Sequence, residues 1–209
     1  MDKRTIKHII FDFGGVLLPI DPQKTIQKFR EFGAQGIEQL YSEHAQHGLF
    51  DKLECGELSA KIFYDELRNS GVDLSNAKMQ EAWNALLLTF PAYKKEDLHQ
   101  LSKEYSLYLL SNTNKIHYDD YATDFQQQFN EPLRGLFKKA YFSFEVGMRK
   151  PHKEIYEYVL RDSQLKPEET LFVDDRAENL EKPKELGMHT YLWNPESEAR
   201  LTSIFDGIQ

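Results

Sequence analysis

The chain has 209 residues, 40% of them hydrophobic and 13% aromatic, which is enough to bury a core and excludes disordered or collagen-like classes. With 26 basic against 34 acidic residues the formal net charge is −8, so there is no general electrostatic attraction for nucleic acid or an anionic membrane. A single cysteine, Cys55, rules out an intrachain disulfide and a zinc–cysteine cluster.

The opening, Met1 to His8, is charged and runs straight into a strand, with no signal-peptide apolar region after it. The longest apolar runs, such as 85–88 and 107–110, fall far short of the roughly 20 residues that span a bilayer. The expectation is a soluble cytoplasmic protein. The first buried strand is predicted over 8–12. From Asp21 to Phe90 the pattern changes to Glu, Lys, Gln, Leu and Phe with helical spacing, as in Ile62-Phe63-x-x-x-Leu67 and Met79-x-x-x-Trp83-x-x-Leu86-Leu87. Gly33, Gly36, Gly56 and Gly71 divide this stretch into about four helices, and no strand is evident in it. Further buried-strand runs follow at 106–111, 140–143, 170–174 and 190–193. They alternate with helical patterns at about 92–105, 114–129, 152–162, 176–186 and 196–205. Strands alternating with helices of this length predict βαβ units and a parallel sheet. The fold class is therefore α/β, a Rossmann-like parallel-sheet core with helices on both faces and an inserted all-helical unit.

In an open α/β sheet, ligands sit outside the carboxyl ends of the strands. Asp12 ends the first strand and is followed by Gly14-Gly15, which let the chain turn tightly and bring backbone N–H groups near an anion. A carboxylate there suits attack on phosphorus; the alternative is an ordinary strand-ending turn. Asp174-Asp175 end a later strand. Adjacent carboxylates repel unless a cation lies between them or one caps the next helix. Mg²⁺ takes hard oxygen ligands of this kind, and Asp12 with Asp175 would supply a pair; capping by Asp175 is the other reading. The run Ser111-Asn112-Thr113-Asn114 offers a hydroxyl and amides for phosphate, or simply a helix cap. Lys150 precedes Pro151, read as the first turn of a helix; it either neutralises a nucleophile and phosphate or is a solvated surface lysine.

Taken together, Phe11-Asp12-Phe13-Gly14-Gly15-Val16-Leu17, Leu110-Ser111-Asn112-Thr113-Asn114, Met148-Arg149-Lys150-Pro151 and Phe172-Val173-Asp174-Asp175-Arg176-Ala177-Glu178-Asn179 resemble the four motifs of the haloacid dehalogenase-like hydrolase superfamily. The resemblance covers nearly the whole chain. Its closest look is to bacterial α-D-glucose-1-phosphatases, and next to the phosphatase domains of bifunctional epoxide hydrolases. It implies a core of residues 1–20 and 91–209 with a helical cap of residues 21–90. It implies Asp12 as nucleophile and Mg²⁺ ligand, the Gly14 carbonyl and Asp175 as further ligands, and Asp174 as support or ligand through water. Ser111 and Asn112 would hold the phosphoryl oxygens, and Lys150 would clamp nucleophile and phosphate. The implied function is a Mg²⁺-dependent phosphatase acting on a small phosphorylated metabolite such as glucose 1-phosphate, with no nucleic-acid, membrane or obligate protein partner.

One departure matters. Phosphatases of this superfamily usually carry a second Asp where this chain has Gly14, and general acid/base catalysis is typically worth 10²–10⁴-fold. Three readings follow: a substrate with a good leaving group; a substitute group such as His117, His152, His47, Asp51 or Glu54; or a catalytically weakened phosphate-binding protein. Dehalogenases also lack that Asp, so carbon–halogen hydrolysis without Mg²⁺ is the competing activity. The turn Glu54-Cys55-Gly56-Glu57 joins two cap helices and by resemblance faces the site. Phe50, Phe63, Tyr64 and Trp83 are read as packing within the cap. Lys115 and His117 are read as an exposed helix start.

Overall fold

Five strands, β1 (His8–Phe11), β2 (Ser106–Ser111), β3 (Lys139–Phe142), β4 (Thr170–Asp174) and β5 (His189–Leu192), form one wholly parallel sheet in the order β3-β2-β1-β4-β5. The computed structural model describes residues 5–34, 36–39, 48–196 and 200–205. The three central strands, β1, β2 and β4, are short apolar runs almost wholly buried, as a parallel sheet covered by helices requires, whereas the edge strand β5 is only partly buried and ends on the exposed Leu192. Side chains alternate across the sheet. Ile9, Phe11, Leu107, Leu109, Leu171 and Val173 enter one core cluster, and Ile10, Tyr108, Leu110 and Phe172 enter the other.

Between β1 and residue 85 the described residues include the helices α1 (Pro22–Glu31), α2 (Leu49–Glu54), α3 (Ala60–Asn69) and α4 (Asn76–Asn84). The remaining helices are α5 (Ala92–Leu101), α6 (Lys115–Phe129), α7 (Ser143–Val146), α8 (Lys153–Asp162) and α9 (Glu178–Glu185). Helices α5 and α6 supply Leu98, Leu101, Tyr121 and Phe125 to the first face; α8 and α9 supply Ile155, Tyr156, Val159 and Leu180 to the second. Pro183 lies inside α9, where it cannot donate to the carbonyl of Asn179. The Tyr156 hydroxyl donates to that oxygen instead, at 2.8 Å.

Helices α1 to α4 enclose a third cluster, with Phe29, Leu53, Phe63, Leu67, Met79 and Trp83 at its centre and Ile116 of α6 at its edge. Local signals start them. Asp21 accepts from Gln23 N ahead of Pro22, Ser59 from Ile62 N, and Ser75 from Lys78 N. The chain enters and leaves this unit side by side: Asp21 N donates to Leu86 O at 2.9 Å, and Leu88 N donates to Pro19 O at 3.2 Å. Among the described residues, no helix is long and apolar enough to cross a membrane.

Several expected bounds shift. The helix expected over 92–105 ends at Leu101, and that over 176–186 begins at Glu178. At 196–205 the described residues hold only a 3₁₀ turn, Leu201–Phe205, and residues 197–199 lie outside them. Strand β3 ends at Phe142, and Ser143 opens α7. Ile62, read as part of an apolar stripe, is 46% exposed, while Phe63 and Leu67 carry the buried face.

The turn after α2 rests on α7, the short helix that follows β3. Gly56 has φ +71, and a Cβ there would lie 2.2 Å from the carbonyl oxygen of Phe144. Gly33, with φ +92, has nothing within 4 Å. Gly56→Ala should therefore lose the cost of a left-handed non-glycine residue, about 1–3 kcal/mol, plus that of the close approach. Gly33→Ala should lose the backbone cost alone. Urea unfolding of both variants checks this, and equal losses would contradict the contact with Phe144.

Candidate active site at the strand ends

Sheet register builds the centre. Phe11 pairs with Val173, which sets Asp12 level with Asp174 on the adjacent parallel strand. Lys150, 1% exposed, reaches between them, its Nζ 2.6 Å from Asp12 Oδ1 and 2.7 Å from Asp174 Oδ2. Asp12, Asp174 and Asp175 each bring an oxygen within 4.8 Å of the others. Burial first, then the charges of Asp174 and Asp175, push Asp12 up to about 7 against the pull of Lys150. Burial and Asp174 likewise raise Asp175. For Lys150 burial opposes the charge, but Asp12 and Asp174 outweigh it and hold its pKa above the ordinary value. Three carboxylates against one ammonium leave a buried surplus of negative charge. That donor set of hard oxygens fits a divalent cation such as Mg²⁺.

Each member is held by a neighbour. Asp174 Oδ1 accepts from Arg176 N at 2.9 Å and from Asn179 Nδ2 at 2.9 Å, and its Oδ2 accepts from Asn179 at 3.1 Å as well as from Lys150. The helix-capping reading for Asp175 is thus corrected: Asp174 takes the turn's N–H, and the residue before α9, Ala177, offers no side-chain bond. Asp175 instead lies against Gly15, where a Cβ would sit 2.2 Å from Asp175 Oδ2. Gly15, at φ +84, is what permits that approach. Gly14 is different, since a Cβ there would meet nothing nearer than Ile20 Cδ1 at 3.4 Å.

The solvated-lysine reading of Lys150 is overturned by its burial. Asn112 seats it: Asn112 Oδ1 accepts from Lys150 N and Asn112 Nδ2 donates to Lys150 O, both at 2.9 Å. The Asn112 side chain is therefore engaged with the lysine's backbone. The Lys150–Pro151 peptide is cis, and α8 starts at Lys153 after His152, so Pro151 lies ahead of the helix and not in its first turn. Ser111 is buried at the end of β2, and its Oγ makes only a long contact of 3.5 Å with Asn112 O. Within 111–114 the capping role belongs to Asn114, whose Oδ1 accepts from Ile116 N and His117 N.

A cleft of about 280 Å³ opens over these strand ends, with Gly14, Ser111 and Asn112 below and Phe50, Glu54 and Trp83 from the inserted helices above. Trp83 and Phe50 do pack with Phe63, at ring separations of 4.7 and 6.4 Å, but they also wall the cleft, which helical periodicity alone does not show. His117 is not an exposed helix start. It is buried in the cleft wall, with Nδ1 2.8 Å from Asn84 Oδ1 and its ring stacked on Trp83 at 5.2 Å. Burial pushes it down to about 3. Lys115 is exposed and pairs with Asp119. Asp51, Cys55 and His152 line a separate cavity of about 450 Å³, and His47 lies outside the described residues. The pairings of Asn84 with His117 and of Asn112 with Lys150 join segments 33 and 38 residues apart, so no local pattern announces them.

Residues 6–187 match the family of haloacid dehalogenase-like hydrolases, and the chain belongs to it. A D-ribitol-5-phosphate phosphatase of Bacteroides thetaiotaomicron is 36% identical over 195 residues, covering 93% of this chain and 94% of that protein. A solved HAD family enzyme from the same species, in complex with magnesium and inorganic phosphate, superposes with a TM-score of 0.86 at 34% identity, covering 92% of this chain and 96% of that one. A predicted HAD-like family hydrolase of Porphyromonas gingivalis gives a TM-score of 0.85 at 34% identity, with 96% of both chains covered.

The buried His117 makes a pH prediction. Unfolded it titrates near its ordinary 6.5, and folded near 3. As pH falls through 6.5 the unfolded chain takes up a proton that the folded chain refuses. The stability tied to neutral His117 is therefore complete above pH 6.5 and declines below it, by up to ~1.4 kcal/mol per pH unit. His117→Gln should flatten the fall in unfolding free energy between pH 7.5 and 4.5 in urea titrations. An unchanged slope would contradict the burial of a neutral imidazole.

Proposed function

We propose that this hydrolase is a Mg²⁺-dependent phosphatase that removes the phosphoryl group from a small polyol or sugar phosphate through an aspartyl phosphate on Asp12. The observation that carries the reading is the acidic trio Asp12, Asp174 and Asp175 gathered about the buried ammonium of Lys150. Asp12 attacks phosphorus, and water later attacks the same phosphorus to return the free carboxylate. Lys150 holds the Asp12 oxygen in place and offsets charge gathering on the phosphoryl group. Ser111 Oγ and the Asn112 backbone N–H bind phosphoryl oxygens, while the Asn112 side chain fixes Lys150. Asp12, Asp175 and the Gly14 carbonyl would hold Mg²⁺, with Asp174 in support; the ion when bound supplies further charge neutralisation on the transferring group.

On this reading residues 21–90 act as a cap over a core of 1–20 and 91–209. The substrate is a small phosphorylated metabolite. The ribitol phosphate named for the Bacteroides relative makes a polyol phosphate the leading candidate, ahead of glucose 1-phosphate. Carbon–halogen hydrolysis by the same Asp12 would need no cation and leaves the buried acidic trio without purpose. The absence of a titratable group at Gly14 favours one second reading, a weakened phosphate-binding protein.

Phosphate release from a panel including D-ribitol 5-phosphate and α-D-glucose 1-phosphate should require Mg²⁺ and stop with EDTA. Asp12→Asn should lose activity on the order of 10⁴-fold or more while keeping the wild-type circular dichroism spectrum. Panel-wide silence from folded protein that binds Mg²⁺ would favour the binding role. Full activity in Asp12→Asn would remove the covalent mechanism.

A further inference from the structure

The proposed reaction has an unmet need. The leaving oxygen of a polyol is strongly basic and must receive a proton as its bond to phosphorus breaks, and the hydrolytic water must lose one. The turn after Asp12 offers only Phe13, Gly14 and Gly15. Among the described residues, the titratable groups that line the cleft are Glu54, His117, Tyr121 and Arg176. His117 holds no proton to give near neutrality, since burial takes it down to about 3 and its Nδ1 is tied to Asn84. Burial keeps the Tyr121 phenol protonated far above the neutral range. Arg176 is a permanent cation.

Glu54 differs from all three. It ends α2, and the turn that follows is pressed onto Phe144 through Gly56. Arg149, the residue before the buried lysine, reaches Glu54 Oε2 through Nε and Nη2, each at 2.9 Å, while its Nη1 pairs with Asp51, so on Glu54 it engages one oxygen of the two. The side chain remains 25% exposed, into the cleft that Gly14, Ser111 and Asn112 floor. Asp51 and Lys150 are the other charges that face it.

We propose that Glu54, resting on the phosphatase reading above, is the general acid and base of the reaction, delivered from the inserted helices in place of a group beside Asp12. In the first step an Asp12 oxygen forms a bond to phosphorus and the bond from phosphorus to the leaving oxygen breaks. The electron pair goes to that oxygen, which takes the proton of the Glu54 carboxyl and departs as alcohol. In the second, the oxygen of water bonds to phosphorus and gives its proton to the Glu54 carboxylate. The bond from phosphorus to Asp12 breaks, releasing inorganic phosphate and restoring both carboxyl groups. Burial raises the Glu54 carboxyl above its ordinary range, with Asp51 adding and Arg149 and Lys150 opposing, which favours a proton on it before the first step.

Glu54→Gln keeps the shape and the bond to Arg149 but cannot give or take the proton. Its turnover of the best polyol phosphate of the panel should fall by about 10²–10³-fold. With p-nitrophenyl phosphate, whose phenolate leaves unaided, rapid mixing should show one equivalent of nitrophenolate per site at near the wild-type rate, followed by slow turnover. A purely structural role would slow both esters alike. Should the glutamine variant not fold, Glu54→Asp carries the same comparison, with the burst intact and polyol turnover reduced. Overturning results are a variant within about threefold of wild type on both esters, or one that loses the nitrophenolate burst as fully as polyol turnover. A wild-type chain inert toward every ester with Mg²⁺ present would instead bring down the phosphatase reading, and this assignment with it.

Discussion

The constraint on which the rest of the structure depends is the burial of one ammonium group. Lys150 is 1% exposed, and its charge is balanced by Asp12 from β1 and Asp174 from β4. Losing one partner of a buried pair commonly costs 3–5 kcal/mol, because the other charge is left without compensation. Neighbouring residues are arranged accordingly. Asn112 at the end of β2 holds the lysine's backbone in both directions, and Asn179 and the Arg176 N–H fill the remaining acceptor positions of Asp174. The backbone carbonyl of Asn179 takes the Tyr156 hydroxyl because Pro183 cannot donate to it, so the helix that supports Asp174 is itself anchored to α8. One polar network thus ties three strand ends and two helices together.

The same network is overloaded with negative charge, and this separates a site from a merely stable core. A sheet meant only to stand would pair Lys150 with one carboxylate and keep others away. Here Gly15 lets Asp175 in as well, at a position where any Cβ would collide with it. Burial first, and then that crowding, raises the pKa values of Asp12 and Asp175 and makes both resist ionisation. A divalent cation relieves it, which is why the charge count and the family membership point the same way.

Legibility in the sequence followed the range of the interactions. Strand positions, the α/β class and the helices described between Pro22 and Asn84 are written in local periodicity and glycine placement, and the strand bounds moved by one residue at most. Asp12, Asp174, Asp175 and Lys150 were visible because each lies at or near a strand end, where a parallel sheet gathers its ligands. What stayed hidden depends on partners far away in the chain. Nothing local marks Asn112 as the seat of Lys150 rather than a phosphate ligand by its side chain, or His117 as a buried neutral ring against Trp83. Glu54 is one of five substitute acid/base groups that the sequence leaves open, and only its contact with Arg149, 95 residues on, and its place in the cleft wall single it out.

Gly14 and Gly15 show how identical neighbours answer to different demands. Gly15 is required by geometry, whereas the space beside Gly14 would admit a side chain. The missing carboxylate at position 14 is therefore not a steric necessity of the turn, and an explanation has to come from chemistry. If the proton-transfer group stands on α2, it reaches the reacting oxygen only while the inserted helices lie over the strand ends. The contacts that hold them there, Arg149 with Asp51 and Glu54 and the Gly56 turn on Phe144, then become part of the reaction's geometry. An acid on the floor would be present whether the cleft were open or closed. An acid on the roof makes proton transfer to the leaving oxygen, and from the attacking water, conditional on the inserted helices lying over the strand ends.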